Sequence, residues 1–316
     1  MAIDLQNVPE DKQTYEMCLS SVQADGRQLE FVCERYQTED LCLEAVKQCG
    51  FALSFVQEQT YEMCLAAVKQ KGNALKYVKE QTPELCLIAV QEDGRALRYV
   101  KEQTSEICLE AVKEHGVALK YVKDQTPELC FAAVKQNYFA FKYVKCQTPE
   151  ICMAAVRRNG HAIRHIKDQT PELCLAAVKQ DGLALEDVKE QTPEICLEAV
   201  KQEGWALQYV KDQTPEFCLE AVGQSGSAIM FVRERTPEIC LAAVKQDGTA
   251  LEYIPQREQT LPIVIAALKQ NPDSREFLAD RFRTSKVYEA AGYDYKPEDL
   301  ADSRSSTERE RTEPGH

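Results

Sequence analysis

One threonine returns through this chain at a fixed interval, and that interval decides what the chain can fold into. Thr38, Thr60, Thr82, Thr104, Thr126, Thr148, Thr170, Thr192, Thr214 and Thr236 stand 22 residues apart, and Thr14 precedes the first of them by 24. With Thr as offset 0 the unit reads T-P-E-(L/I)-C-L-x-A-V-K-Q-x-G-x-A-L-x-Y-V-K-(E/D)-Q, and Thr192–Gln213 agrees with Thr170–Gln191 at 15 of 22 positions. A period of this size is the mark of a chain built by stacking one small supersecondary unit on the next.

The unit reads as two short helices. Thr suits the N-cap, Pro follows it in seven of eleven units as the first helical residue, and the acid at offset 2 opposes the helix dipole. Apolar offsets 3, 4, 5, 7 and 8 cover an arc of about 200° at 3.6 residues per turn. That is wider than one buried face, so the helix is expected to lie between copies of itself. Gly at offset 12, present in ten of eleven units, is expected to end it in the left-handed conformation. A second helix of about two turns follows, apolar at offsets 14, 15, 17 and 18. Pieces this short hold only against neighbours.

The expected fold is therefore all-α: an α-solenoid of about twelve two-helix repeats, its stability a sum of units and interfaces. Residues 1–13 form an N-terminal half-repeat, because Asp4–Pro9 aligns with Ala250–Pro255. Eleven repeats occupy 14–259. Residues 260–296 hold a degenerate repeat and C-terminal cap, and 297–316, charged and without apolar period, read as a disordered tail. Asp4, Glu10 and Asp11 stand where a signal peptide would be basic and apolar, and no run of about 18 apolar residues occurs. Synthesis in a cytosol without a membrane span is expected.

Fourteen cysteines suggest a disulfide scaffold until their spacing is read. Eleven fall at offset 4, from Cys18 and Cys42 to Cys218 and Cys240, forming a ladder whose rungs lie about one helix diameter, roughly 10 Å, apart. Disulfides need Cα atoms within about 7 Å, and zinc needs ligands converging on one point, so neither a metal nor another cofactor is expected. Small apolar filler in a reducing compartment is the expected role. Cys33, Cys49 and Cys146 stand off the ladder as the expected accessible thiols.

Comparison among the copies separates scaffold from variable surface. Offset 13 runs through Phe51, Phe139 and Trp205, candidate contact anchors or covers over the junction between the two helices. Offset 16 carries Lys76, Arg98, Lys120, Lys142 and Arg164 in successive units. The net charge is -13, yet residues 60–169 hold 17 Lys/Arg against 13 Asp/Glu. This basic row is expected to lie along one edge and to receive an acidic or phosphorylated protein segment. Units six and seven depart furthest: Tyr138 replaces the glycine, Phe139 and Phe141 replace smaller residues, Cys146 replaces an acid, and Arg157, Arg158, His161 and His165 follow. Tyr138 is expected to take positive φ at a cost or to reshape the turn.

No phosphate loop, zinc-protease or nucleophile-elbow motif occurs. Cys146 and His165 are the one thiol–base pairing open to an enzyme, and nothing in the sequence supplies an orienting group or an oxyanion hole. A nucleic-acid reader built on helical repeats ranks lower still, since only five units are basic. The expectation is a non-enzyme.

The residues Q-T-P-E-(L/I)-C-L-x-A-V-K-Q-x-G-x-A-L-x-Y-V resemble the helical repeat family catalogued as domain of unknown function 4116, found in secreted effectors of intracellular bacterial pathogens and in some protists. The resemblance covers most of Thr14–Ile254 and brings no catalytic residues with it. Ser303, Ser305, Ser306 and Thr307 followed by Glu308, Glu310 and Glu313 also resemble the C-terminal signal of type IV secretion substrates. The two resemblances imply an effector that leaves a bacterial cytoplasm for a host cytosol and binds a host protein or a partner effector there.

Overall fold

The computed structural model describes residues 4–293, so the tail 297–316 and its proposed signal lie outside the described residues. The described residues form helices and no strands, and the chain divides after Arg158 into two units.

In the first unit the α-helices are α1 (Tyr15–Ala24), α2 (Glu39–Gln48), α3 (Tyr61–Gln70), α4 (Pro83–Glu92), α5 (Ser105–Glu114), α6 (Pro127–Gln136) and α7 (Pro149–Arg158). In the second they are α8 (Pro171–Gln180), α9 (Pro193–Gln202), α10 (Pro215–Gln224), α11 (Pro237–Gln246), α12 (Leu261–Gln270) and α13 (Ser285–Ala291). From α1 to α12 each begins at the residue after a repeat threonine, as the sequence pattern places it. In the fourth repeat the Leu85 amide donates to Thr82 Oγ1 at 3.3 Å, and Pro83 opens α4 without needing a donor of its own.

The second helix of each repeat is a 3₁₀ helix of six residues, such as Gly94–Tyr99 and Gly204–Tyr209. Three residues per turn set its side chains in three straight lines. Offsets 12, 15 and 18 point inward, as Gly94, Leu97 and Val100 do, while offsets 13 and 16 point outward, as Arg95 and Arg98 do. Ala at offset 14 is buried and the aromatic at offset 17 half-buried. Within each unit the α-helices pack on their sequential neighbours, and six-residue 3₁₀ helices such as Gly94–Tyr99 and Gly204–Tyr209 pack between their own α-helix and the next. The apolar arc is closed on both sides, with Leu85, Cys86, Ala89, Val90, Ala96 and Leu97 all buried.

The glycines do not work as expected. None at offset 12 has positive φ, and Gly292, after α13, is the one residue among those described that does. Residue 93, ahead of Gly94, is extended (φ −152°, ψ 105°) and ends α4 instead. Gly94 is needed for close approach: a Cβ there would lie 2.3 Å from the Ala111 carbonyl oxygen in α5. Its counterparts meet the same carbonyl of the next repeat, at 2.2 Å for Gly72 and 2.5 Å for Gly204.

A half-buried polar ladder runs beside the apolar one. Gln81, the residue before the N-cap, donates through Nε2 to the Leu75 and Tyr99 carbonyls (3.3 and 2.9 Å). Its Oε1 accepts from the Lys101 amide at 3.0 Å and from the Cys86 thiol at 3.7 Å. The pattern returns at Gln59, Gln125, Gln191 and Gln213. One side chain thus satisfies backbone groups of two successive repeats that would otherwise be orphaned. Lys at offset 19 adds an outer clamp: Lys101 Nζ donates to the Lys79 carbonyl (2.8 Å) and Lys123 Nζ to that of Lys101 (2.9 Å).

The ends differ from the middle. The 3₁₀ helix Leu5–Asn7 lies against Gly26–Phe31 with Leu5 buried. Short 3₁₀ turns Glu34–Tyr36 and Asp280–Phe282 lengthen the repeats near both ends. Thr284 then opens α13, a shortened helix that packs on α12.

Candidate functional site

The outward line of the 3₁₀ helices carries the residues that vary among repeats. In the first unit Lys76, Arg98, Lys120 and Lys142 are all exposed, and each cation sits over the tyrosine that follows it. The distances to the ring centroids of Tyr77, Tyr99, Tyr121 and Tyr143 are 5.3, 4.6, 5.0 and 4.9 Å, within the range where the ring quadrupole attracts a cation. The offset 13 partners on this edge are Asn73, Arg95, Val117 and Phe139, so these four repeats place no acid at offsets 13, 16 or 17. Asp93 lies beside them and is already engaged. It accepts from the Arg95 amide and Nε, both at 3.0 Å, and from Asn73 Nδ2 at 2.6 Å. Burial alone would raise its pKa, but the hydrogen bonds and charge of Arg95, with Asn73, bring it below the usual carboxylate value.

The fifth member of the expected row is different. Arg164 in the second unit is paired with Asp187 at 3.0 Å, and His161 Nδ1 meets the same carboxylate oxygen at 2.8 Å. His161 Nε2 also lies 3.5 Å from Asp181. Asp187 takes the place of the usual offset 17 aromatic, so the positive charge of this repeat is met from within the chain. The usable row is four cations, and sequence reading missed Asp187 because it scored offset 16 without asking what the next repeat places against it.

Tyr138 does not adopt positive φ. It opens the 3₁₀ helix Tyr138–Tyr143, and α7 packs less closely on that helix than other α-helices pack on the 3₁₀ helices before them. A side chain stands where the other repeats have only hydrogen, and it is accommodated by loosening this one contact while α6 and α7 stay packed on each other. Its ring lies 4.1 Å from that of Phe139, tilted by 30°, and Phe139 is the most exposed of the large hydrophobics, at 55%.

Trp205 and Phe51 serve partly as covers. Trp205 packs edge-on against Phe231 of the next repeat (5.7 Å), and its Nε1 donates to the Ser225 and Ser227 hydroxyls. Phe51 packs against Tyr77 in the same way at 6.1 Å. Arg157 and Arg158 are exposed on the last turn of α7, in the first unit, whereas His161, Arg164 and His165 belong to the second.

The thiols correct another expectation. Cys146 is exposed and Cys49 intermediate, but Cys33 is buried, at 6%. Its amide donates to Gln13 Oε1 at 2.9 Å, where the Cys18 thiol also points. Many ladder thiols, Cys86 and Cys218 among them, donate to the glutamine ahead of their helix as well as filling space, and burial raises the pKa of, for example, Cys42, Cys86 and Cys218 above the ordinary value. Cys146 lies in the first unit and His165 in the second, both exposed.

Against known proteins, a family model described as domain of unknown function (DUF4116) matches in nine overlapping stretches: 39–81, 60–104, 104–145, 126–170, 148–191, 170–214, 192–236, 214–259 and 236–283. Each stretch spans about two of the repeats described above. No curated protein and no solved structure matches the chain.

Proposed function

The chain belongs to this family of helical repeats without assigned function, and from that membership and the surface just described we propose that it is a non-enzymatic scaffold that binds a protein partner through the outer edge of its 3₁₀ helices. The observation that carries the reading is the contrast within each repeat. Offsets 3, 4, 7, 8, 12, 14 and 15 are mostly buried and keep small or apolar residues from copy to copy, whereas offset 13, exposed or half-exposed, and exposed offset 16 change freely, and offset 16 gathers four cations in the first unit. A surface of one sign speeds encounter with an oppositely charged partner and fixes its register. The basic character is confined to part of a chain of net charge -13, which favours an acidic protein over a nucleic acid, whose phosphates call for cations along the whole contact.

Translocation into a host cell, where a host factor or a second effector would be the partner, is part of the same proposal. It is supported by the family resemblance and by the serine- and glutamate-rich residues 303–313. Crosslinking mass spectrometry in transfected host cells tests the binding reading. Wild-type protein should crosslink to a partner through residues beside the 3₁₀ edge. A folded variant with Arg98→Glu, Lys120→Glu and Lys142→Glu should lose those crosslinks, and their persistence would refute the role of this edge.

A further inference from the structure

The four cations of the first unit are held in a way that says what backbone would lie across them. Each sits over its own tyrosine ring, a modest attraction at an exposed site, which biases the cation toward its own 3₁₀ helix before any ligand arrives. Successive cations are one repeat apart. Packed helices lie about 8–10 Å from one another, and the row therefore presents positive charge at intervals of about 9 Å beside half-buried aromatic rings.

Among regular backbones this interval selects one. In polyproline II, three residues complete a turn and advance about 9 Å, so every third side chain falls on the same face at the spacing of the repeats. A β-strand also advances about 10 Å in three residues, but its third side chain points to the opposite face. An α-helix regains its face at this distance only every seventh residue, and the face drifts by about 20° each time. Polyproline II segments also dock on aromatic-lined surfaces, and the partly exposed edges of Tyr77, Tyr99, Tyr121 and Tyr143 lie beside the cations.

We propose that the edge formed by Lys76, Arg98, Lys120 and Lys142 binds an acidic protein segment in polyproline II conformation that carries a carboxylate at every third residue, one for each repeat. This rests on the protein-binding reading above and adds the chemistry and spacing of what is bound. Residue Asp93 does not compete for the row, because Arg95 and Asn73 occupy it.

Fluorescence anisotropy with the full chain and labelled synthetic peptides tests the proposal. Four Glu-Pro-Ala triplets should bind. The same four glutamates spaced every fourth residue, as Glu-Pro-Ala-Ala, should bind about tenfold or more weakly, and Lys-Pro-Ala triplets should not bind. Arg98→Glu with Lys120→Glu should weaken the triplet peptide about tenfold or more, while Lys179→Glu with Lys201→Glu, exposed in the second unit, should leave it unchanged. Circular dichroism confirms that both variants are folded. Equal binding of the two glutamate spacings would overturn the register while leaving an acid-binding edge. Tighter binding of a helical peptide with glutamate every seventh residue would overturn the conformation. Failure of every acidic peptide would overturn the ligand class, and the crosslinking experiment would still decide whether the edge binds a protein at all.

Discussion

Gly94→Ala is expected to destabilise the protein by about 2–3 kcal/mol, the upper part of the range for forcing one methyl group into a packed interior. The added carbon would meet the Ala111 carbonyl at 2.3 Å and the backbone nitrogen and Cβ of His115 at 3.1 Å. Both lie in or just after α5, so relief requires moving a helix and not a rotamer. Because α5 is also packed against α4 and α6, its displacement opens a contact on its other side as well. Gly223 provides the control. It lies inside α10 with nothing within 4 Å of an added Cβ, so Gly223→Ala should stabilise by about 0.5–1 kcal/mol, the helical advantage of alanine over glycine. Urea unfolding followed by circular dichroism compares the two. A neutral Gly94→Ala would show that the repeats do not approach as closely as described.

Gln125→Leu should cost about as much or more, on the order of 3 kcal/mol. The side chain donates to the Tyr143 carbonyl at 3.0 Å and accepts from the Lys145 amide at 3.0 Å and the Cys130 thiol at 3.5 Å. Leucine fills a similar volume and leaves these groups without partners in a half-buried interface, at roughly 1–3 kcal/mol for each unsatisfied backbone group. The effect should also be local, with the Lys145 amide exchanging with solvent many times faster than in the wild type. Gln208→Leu, at an exposed offset 16 position, should fall within about 0.5 kcal/mol of wild type. If Gln125→Leu proved equally mild, the glutamine ladder would be incidental to the stack.

These two positions also show how much was legible in the sequence. The α-helices, their threonine caps and the buried ladder of thiols follow from the 22-residue pattern, because capping and amphipathic period act within one repeat. The role of Gly94 was misread because a glycine after a helix has two physical uses, positive φ and close approach, and only the position of the next repeat distinguishes them. Gln81 and its equivalents were visible as a residue constant but for Arg235, yet the four hydrogen bonds of Gln81 reach into two repeats and have no local signature. The second helix carried its own clue. Gly, Leu and Val at offsets 12, 15 and 18, with variable residues at 13 and 16, already repeat every three residues, the period of a 3₁₀ helix.

The basic row was legible as a row, but its length was not. Arg164 looked equivalent to Lys142 until Asp187, 23 residues later, was found against it. Charge at a repeat position has meaning only after the neighbouring repeat has been placed beside it. The same holds for Trp205, whose indole nitrogen is directed to Ser225 and Ser227.

The most direct test of the stacked interior is the accessibility of its sulfurs. The native protein would be exposed briefly to iodoacetamide at neutral pH and each of the fourteen cysteines located by mass spectrometry. Burial and suppressed ionisation both slow a thiol. Cys146 should therefore label first and Cys49 more slowly, while Cys33 and the offset 4 thiols react only after denaturant is added. Rapid native labelling along offset 4, at the rate of Cys146, would contradict an interior closed by neighbouring repeats.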